Sequence, residues 1–555
     1  MKNSFSKSGL LGMLASALVF TGFLPGFYRV FTGFLFVLYS QWGAGQNCIG
    51  LNEICFEDVS ERLDLPSLDG GRVRYTGQTW AMSWGDANGN EWPDLYLNHH
   101  TERSTRGRFS TSHLIYDLGE HAKDWTFSEL GLGDQHSGVF IDLDRDGNQD
   151  ILELTGGRSG KAEFDDPTTA NKMFSGSDWT GRYKGNARKL DLEFRGRRGR
   201  TVLPINQNGI LKLLFLNTPR EDGRGPSVLV RRNNSGFTGE AAIELKTCSG
   251  VGCGGGGFEL CTHAVELHVN EDADTDIVCF GRNGSSLNIL TVFLSSVENA
   301  GFVKVASVPS PGYFKAGSVA DFNNDGRPEI LGIFGDELKI IRFDGSEGQS
   351  VLPRVELVPN LGANQWSKPV ALVSGDFDND LDVDFLVYHE NPKQIFEASI
   401  WANNGTGGFT FSTVENSAYT GIARNTSIAD FNLDGSRDVI FSDGKGTPEE
   451  AIAFQGGYIL WQGTKKGHWL EVDLRDRHGL RGLGSRVAIS AGKVNIMRGQ
   501  YSGVHGEVQD FDRLHFGLNN LKMVDLIVYW ADGDETRLTD VTTNQILTIN
   551  QDPKP

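Results

Sequence analysis

Gly138-Val139-Phe140-Ile141-Asp142-Leu143-Asp144-Arg145-Asp146-Gly147-Asn148-Gln149-Asp150-Ile151-Leu152-Glu153-Leu154 is the stretch on which the fold turns. Two apolar runs flank nine residues that carry oxygen-bearing side chains at positions 1, 3, 5 and 9 and a glycine at position 6. Short β-rich runs bounded by Asp, Asn and Gly read as strands joined by a turn, so the acidic loop is a hairpin tip. The pattern returns in loops that begin at Asp86, Asp321, Asp376 and Asp430, followed at once by Leu95-Tyr96-Leu97, Ile330-Leu331-Gly332-Ile333, Phe385-Leu386-Val387-Tyr388 and Val439-Ile440-Phe441. Two weaker copies fill the gaps. Pro204, Asn206, Asn208, Gly209 and Lys212 precede Leu213-Leu214-Phe215-Leu216, and His268, Asn270, Asp272 and Asp276 precede Ile277-Val278-Cys279-Phe280. Loop starts at 86, 142, 204, 268, 321, 376 and 430 lie between 53 and 64 residues apart. Each unit has room for about four short strands, and one such sheet cannot bury both its faces, whereas seven arranged radially can. The expected fold is all-β: a seven-bladed β-propeller followed by a small C-terminal β-sandwich-like module. Phe56-Glu57-Asp58-Val59-Ser60 supplies the candidate strand that closes the ring from the N-terminal side, since an open ring would expose an unpaired edge.

Alternating oxygen ligands in a curled loop suit a hard cation, and Ca²⁺ takes six to eight oxygens at about 2.3 to 2.6 Å. The expected ligands are Asp86, Asn88, Asn90 and Asp94 in the first loop, Asp142, Asp144, Asp146 and Asp150 in the second, and Asn270, Asp272 and Asp276 in the fourth. The fifth loop offers Asp321, Asn323, Asp325 and Glu329, the sixth Asp376, Asp378, Asp380 and Asp384, and the seventh Asp430, Asn432, Asp434 and Asp438. Five or six Ca²⁺ sites follow. Lys212 places an ammonium where the third loop needs an acid, so that loop is expected to carry no metal. An EF-hand is excluded, because its loop ends in a glutamate at position 12 between helices and strands flank these loops.

The chain has 555 residues, with 52 Lys+Arg against 71 Asp+Glu and a formal net charge of −19. A surface of that sign excludes nucleic acid as a general partner. The seven loops hold 22 of the 71 acids, so much of the acidity reads as metal ligand and not as partner-binding surface. Lys2 and Lys7 precede apolar runs at 9–28 and 30–39, which reads as a signal peptide or signal-anchor segment over 1–45. Membrane contact is expected only there. Six cysteines fit an oxidising compartment: Cys48 and Cys55 are the expected bridge, and Cys248, Cys253, Cys261 and Cys279 leave three connectivities open. The expected domains are the export segment at 1–45, the propeller at 46–465 and the C-terminal module at 466–552.

Asp142-Leu143-Asp144-Arg145-Asp146-Gly147, Asp321-Phe322-Asn323-Asn324-Asp325-Gly326 and Asp430-Phe431-Asn432-Leu433-Asp434-Gly435 resemble the FG-GAP or VCBS repeats of integrin α-like propellers. The turn Asn403-Asn404-Gly405-Thr406-Gly407-Gly408-Phe409 is similar to an outer-strand hairpin of the same family. Glu91 and Leu381 depart from the pattern by replacing the glycine at position 6. Downstream, Gly482-Leu483-Gly484-Ser485-Arg486-Val487, Arg513-Leu514-His515-Phe516-Gly517-Leu518, the run from Val524 to Trp530 and Asp532-Gly533 are similar to the ASPIC/UnbV domain. Propeller then ASPIC/UnbV is the order of the cartilage acidic protein family. The resemblance implies an exported, calcium-binding, extracellular, periplasmic or outward-facing membrane-anchored protein, engaged in adhesion or matrix contact and without an established catalytic set.

Two functions are carried forward. The first is a calcium-binding propeller acting in extracellular binding, adhesion or scaffolding, with a protein or an anionic glycan as partner. A basic stretch, Arg182 to Arg200, is the candidate for the glycan. The alternative is a polysaccharide lyase or hydrolase on a calcium-stabilised propeller, for which His136 and His99-His100 are the local candidates; no residue is assigned a catalytic role. In the C-terminal module Arg486, Arg513, His515 and Trp530 are candidate surface residues.

Overall fold

The computed structural model describes residues 49–51, 54–63, 78–100, 111–119, 126–132, 135–143, 145–155, 171–176, 188–189, 198–218, 227–231, 258–270, 272–283, 287–296, 301–344, 352–358, 368–390, 395–414, 419–420, 423–443, 457–464 and 467–553. The export segment, Cys48, Asp144, Cys248, Cys253 and most of the basic stretch fall outside them. Among the described residues the chain is all β, with two short 3-10 turns, and no helix is long and apolar enough to cross a membrane.

Seven antiparallel sheets follow one another along the chain, and each first strand enters a repeat loop: Gln78–Gly85, Gln135–Ile141, Arg198–Gln207, Cys261–Leu267, Phe314–Ala320, Lys368–Gly375 and Ala423–Ala429. We number the sheets and their loops 1 to 7 in that order. Register is constant where the loop is acidic. The residue before position 1 pairs with position 9 in Gly85↔Asp94, Ile141↔Asp150, Leu267↔Asp276, Ala320↔Glu329, Gly375↔Asp384 and Ala429↔Asp438. Loop 3 differs: pairing continues to Gln207↔Ile210, leaving a two-residue turn at Asn208-Gly209 with φ of 56° and 77°. Two positive φ values mark the hairpin turn that Asn-Gly favours, so this repeat spends its loop on pairing.

Sequential sheets pack face to face through apolar side chains, which is why strands such as Gln135–Ile141 and Glu329–Phe334 are buried along their whole length. Tyr96 and Phe140 lie between sheets 1 and 2, Phe280 stacks on Phe314 between sheets 4 and 5, and Tyr388 meets Phe441 between sheets 6 and 7. Trp84 of sheet 1 stacks on Phe431 of loop 7, within a cluster that also joins Leu95 to Leu460. Contacts between first strands run from each sheet to the next and from sheet 7 back to sheet 1. Sheet 7 is completed from the N-terminal side, where Ile54–Asp58 pairs with Gly457–Gly463 in the register Phe56↔Gly463. Cys261 and Cys279 form a disulfide across the first two strands of sheet 4, one of the pairings left open by the sequence. Cys55 is also disulfide-bonded, and the expected pairing falls on Cys48, outside the described residues.

The C-terminal segment builds two sheets over one core. His468–Arg475 pairs antiparallel with Leu514–Asn519 and parallel with Gln545–Asn550, while Arg486–Ala491 lies between Val494–Gly499 and Met523–Tyr529. Leu470, Val472, Val487, Ile489, Phe516, Leu526 and Trp530 are buried between them. Trp530 is 2% exposed, Arg513 2% and His515 6%, which corrects their reading as surface residues: Trp530 is core, and the other two face the acidic loops. A hairpin of this segment, Val504–His505 with Val508–Gln509, leaves the module and lies among the first strands of the seven sheets. Gln509 pairs parallel with Ser83, and its side chain receives the Phe140 amide at 2.7 Å and donates to the Phe140 carbonyl at 3.1 Å. The amide of Phe511 donates to the Ile428 carbonyl at 3.0 Å, and that of Ser502 donates to Glu266.

Candidate metal sites

One hydrogen-bond scheme repeats through loops 1, 2, 5, 6 and 7. The position-1 aspartate collects the amides of positions 5 and 6: Asn90 and Glu91 donate to Asp86 at 3.0 and 3.2 Å, Asp146 and Gly147 to Asp142 at 3.2 and 3.0 Å, and Asp325 and Gly326 to Asp321 at 3.1 and 2.8 Å. Asp376 and Asp430 do the same for Asp380 with Leu381 and for Asp434 with Gly435. Position 9 then ties the loop to the sheet. Its outer oxygen accepts the position-2 amide, as in Leu143 to Asp150 at 2.8 Å and Phe431 to Asp438 at 2.9 Å. In loops 1, 2, 6 and 7 its other oxygen accepts an amide at the far end of the third strand or just beyond it, as in Asn403 to Asp384 at 2.8 Å and Gly463 to Asp438 at 2.7 Å, whereas in loop 5 that oxygen of Glu329 accepts the Asn323 side-chain amide at 2.9 Å and pairs with Arg342 at 3.0 Å. Positions 3 and 5 receive local turn bonds: Asp325 donates to Asn323 at 2.9 Å, Arg327 to Asp325 at 2.9 Å and Ser436 to Asp434 at 2.9 Å. Backbone amides thus orient these side-chain oxygens within each loop, as short Asp and Asn side chains commonly do in turns.

This packing is costly for anions. Burial, reinforced by neighbouring carboxylates, pushes Asp94, Asp384, Asp430 and Asp438 well above the usual range and Asp276 up to about 8. Asp376 also rises to about 8, through burial against the opposing pull of Arg498, and Glu329 rises to about 7. Asp86 and Asp321 are raised by burial. A divalent cation at the centre reverses the balance. In loop 6 the carboxylate oxygens of Asp376, Asp378 and Asp384 all lie within 4.8 Å of one another. Oxygens on opposite sides of an ion at about 2.4 Å are separated by about that distance, so this triad has the spacing of a metal site. Loops 1, 5 and 7 carry asparagine at position 3 (Asn88, Asn323 and Asn432), where an amide oxygen stands in for the carboxylate.

The remaining loops depart in ways with physical causes. In loop 4 His268 stands at position 1, its Nδ1 3.1 Å from Tyr501 Oη, and burial lowers its pKa to about 3. Asn270, Asp272 and Asp276 remain together there: Asn270 donates to Asp272 at 2.7 Å, and Val269 to Asp276 at 3.0 Å. In loop 3 the Lys212 ammonium donates to Gln207, and the shortened turn offers no acidic set. In loop 2 Asp142 accepts the Asp146 and Gly147 amides and Asp150 accepts that of Leu143. Spacing alone did not single out Asp117, which accepts the Asn88 and Asn90 side-chain amides at 3.2 and 2.8 Å while donating its own amide to Asp94. Nor did it single out Asp382, which accepts from Asn324 of loop 5 at 2.7 Å. Both act across strands or between repeats, where a single-loop pattern carries no signal.

The C-terminal segment covers these loops. Arg513 donates to the Glu91 carbonyl at 2.9 Å, Gln149 to Asp512 at 2.8 Å, Asn206 to the Leu483 carbonyl at 2.8 Å, and the Asn519 amide to the Asn379 carbonyl at 2.7 Å. His515 Nε2 lies 3.3 Å from the Gly435 carbonyl, and the Arg498 charge partly opposes the rise that burial gives Asp321 of loop 5. His136, the enzyme candidate, is 3% exposed, hydrogen-bonded to Arg200 and 3.6 Å from Glu507 at the tip of the inserted hairpin. His99 and His100 end the second strand of sheet 1, with side chains outside the described residues.

Comparison with known proteins follows these two regions. Residues 376–441 match the FG-GAP-like repeat, and residues 476–555 match ASPIC and UnbV. A solved structure titled for specific recognition of non-reducing terminal N-acetylglucosamine by an Agrocybe aegerita lectin is similar at 13% identity, covering 69% of this chain and 99% of its own, with a TM-score of 0.36. That likeness is too slight to carry an argument. Cartilage acidic protein 1 of Xenopus tropicalis is 24% identical over 428 residues, which are 71% of this chain and 60% of that protein, so the alignment spans under two thirds of the relative. The chain carries an FG-GAP-like repeat and an ASPIC/UnbV domain, and it is a distant homologue of cartilage acidic protein 1.

Proposed function

We propose that this chain is an exported, calcium-binding, seven-bladed β-propeller that acts in extracellular binding or scaffolding, with an ASPIC/UnbV module seated on the loop end of the ring. The loop-6 triad carries the metal reading, because three carboxylates, two of them buried, bring oxygens within 4.8 Å of one another, an arrangement that a cation would stabilise. Contacts between first strands that return from sheet 7 to sheet 1, and the N-terminal strand that completes sheet 7, support closure. A disulfide supports folding in an oxidising compartment. The partner is an extracellular protein or an anionic glycan, met by surfaces other than the loop end, which the C-terminal segment already occupies.

The test is metal content and thermal midpoint, measured together with calcium and after chelation. Five or six Ca²⁺ per chain and a midpoint that falls on chelation are expected. Asp378→Ala removes one ion and leaves the others. An unchanged midpoint with no bound calcium would reduce the loops to turns. A panel of glycans and anionic polymers, scored for binding and for cleavage, then separates scaffold from enzyme: saturable binding without cleavage is expected, and cleavage abolished by His136→Ala would reverse the reading.

A further inference from the structure

Position 9 is an aspartate in loops 1, 2, 4, 6 and 7, and in each its second oxygen is met by a main-chain amide. Asp117 donates to Asp94, Gly176 to Asp150, Ser295 to Asp276, Asn403 to Asp384 and Gly463 to Asp438, at 2.7 to 3.1 Å. Loop 5 is built differently. Glu329 is one methylene longer, and its Oε1 lies 3.0 Å from Nη1 of Arg342, on the third strand of sheet 5, Glu337–Asp344. We propose that Arg342 is a resident cation of loop 5 that lowers its calcium affinity, so that loop 5 fills at higher calcium concentration than loop 6.

The pair is not a solvated surface contact, which would be worth little. The Glu329 side chain is 3% exposed and that of Arg342 22%. Arg342 Nε lies 3.2 Å from Glu356, and Glu356 is itself paired with Arg354 at 3.0 Å, so the Nη1 edge is left for Glu329. On the other side a turn of sheet 6 closes over the guanidinium. A β-carbon on Gly407, whose φ is 76°, would stand 3.1 Å from Arg342 Nη2.

Calcium affinity follows the charge of the ligand set. Loop 6 brings four acids at its ligand positions, Asp376, Asp378, Asp380 and Asp384, and loop 5 brings three, Asp321, Asp325 and Glu329. Arg342 offsets one of those three. Both oxygens of Glu329 are also engaged: Oε2 accepts the Phe322 amide at 2.8 Å and Oε1 the Asn323 side-chain amide at 2.9 Å. An ion that uses this carboxylate must therefore compete with a guanidinium in contact with it and is repelled by that charge at short range. Arg498 does not separate the two loops, because its charge bears on Asp321 and Asp376 alike.

This inference rests on the calcium reading proposed above, and one titration tells the two apart. Calcium is titrated into the metal-free full chain at constant ionic strength and followed by calorimetry. Asp325→Ala is expected to remove a weak site and leave the tight ones, whereas Asp378→Ala removes a tight one. Arg342→Gln is expected to tighten the loop-5 site roughly tenfold or more without changing the number of ions at saturation. Arg537→Gln, which loses an exposed pair with Glu535 in the C-terminal module, changes no site. If Arg342→Gln does not fold, Glu329→Asp decides, since it draws the carboxylate back from the guanidinium and restores the aspartate of the other loops; it too should tighten the site. Unchanged affinity in the folded variant, or loss of a tight ion in Asp325→Ala, overturns the inference and leaves the calcium reading standing. A wild-type chain that binds no calcium overturns both.

Discussion

Leu381 and Glu91 stand at position 6 of their loops with φ of 97° and 72°, beside Gly147, Gly326 and Gly435 at 98°, 86° and 85°. The backbone there is left-handed in all five, at a cost of about 1 to 2 kcal/mol for a residue with a β-carbon. Both exceptions face the C-terminal segment. Leu381 packs on the apolar core of the module, and the carbonyl of the exposed Glu91 accepts from Arg513. The two are separable by substitution. Glu91→Gly keeps the carbonyl and releases the strain, so it is expected to raise stability by about 0.5 to 1 kcal/mol after the entropy of glycine is counted. Leu381→Gly releases the same strain but forfeits the contact of a half-buried leucine, a part of the about 1.5 to 3 kcal/mol of full burial, so it is expected to be neutral or destabilising. Denaturant unfolding of the calcium-loaded variants checks both signs, and equal shifts would show that the module contact contributes nothing.

At the scale of the loop and its strands, acidity and stability are linked. For the calcium-free chain, Asp376 and Asp276 titrate near 8 when folded against about 3.8 when unfolded, and Glu329 near 7 against about 4.5. Between pH 4 and 8 the folded state holds protons that the unfolded chain has released, so metal-free stability is expected to fall as pH rises through that window. Calcium requires the same carboxylates ionised, so its stabilisation should grow over the same range. Melting curves at pH 5 and pH 8, with chelator and with calcium, should cross in this sense; parallel curves would mean that the loops bind no ion. The ion pair of Arg513 with Glu471, both side chains fully buried, gives a second expectation. Arg513→Ala leaves that carboxylate with only the long contact to Arg437 and should cost about 3 to 5 kcal/mol by denaturant unfolding. Phase and spacing made the loops legible in the sequence, because Asp142 to Asp150 and its copies carry ligand and turn in one stretch. Loop 3 was legible as the divergent copy through Lys212, which donates to Gln207 beside a two-residue turn. Arg513 and His515 were not legible as buried: their partners, Glu471, Glu91 and Gly435, lie far away in sequence, and a polar residue in a short strand reads as surface. The inserted hairpin is two-residue strands around Gly506-Glu507, too short for any periodic signal.

In the whole molecule the C-terminal segment is a closure for the loop end and not an appended domain. Its hydrogen bonds reach loops 1, 2, 3, 4, 6 and 7, Arg498 reaches toward Asp321 of loop 5, and its hairpin runs among the first strands as far as His136 and Arg200. Close fit is visible in the glycines: a β-carbon on Gly435 would overlap the Trp469 ring, and one on Gly517 would overlap the Asp376 carboxylate. Under the proposed calcium reading, metal, loop geometry and module seating form one cooperative unit, since a loop that opens on losing its ion withdraws the carbonyls at Glu91, Asn379, Leu381 or Gly435 from the module. Chelation is therefore expected to unseat the C-terminal segment before the sheets unfold. Amide hydrogen exchange reads this directly: after calcium removal, protection should fall first at 500–513, while the disulfide-linked strands of sheet 4 keep theirs. Gly435→Ala, whose methyl would overlap the Trp469 ring of the module and not a carboxylate, should reproduce that loss with calcium present. Protection at 500–513 that survives chelation, or that falls in step with sheet 4, would show that the ions hold the sheets alone and that the module is seated independently of them.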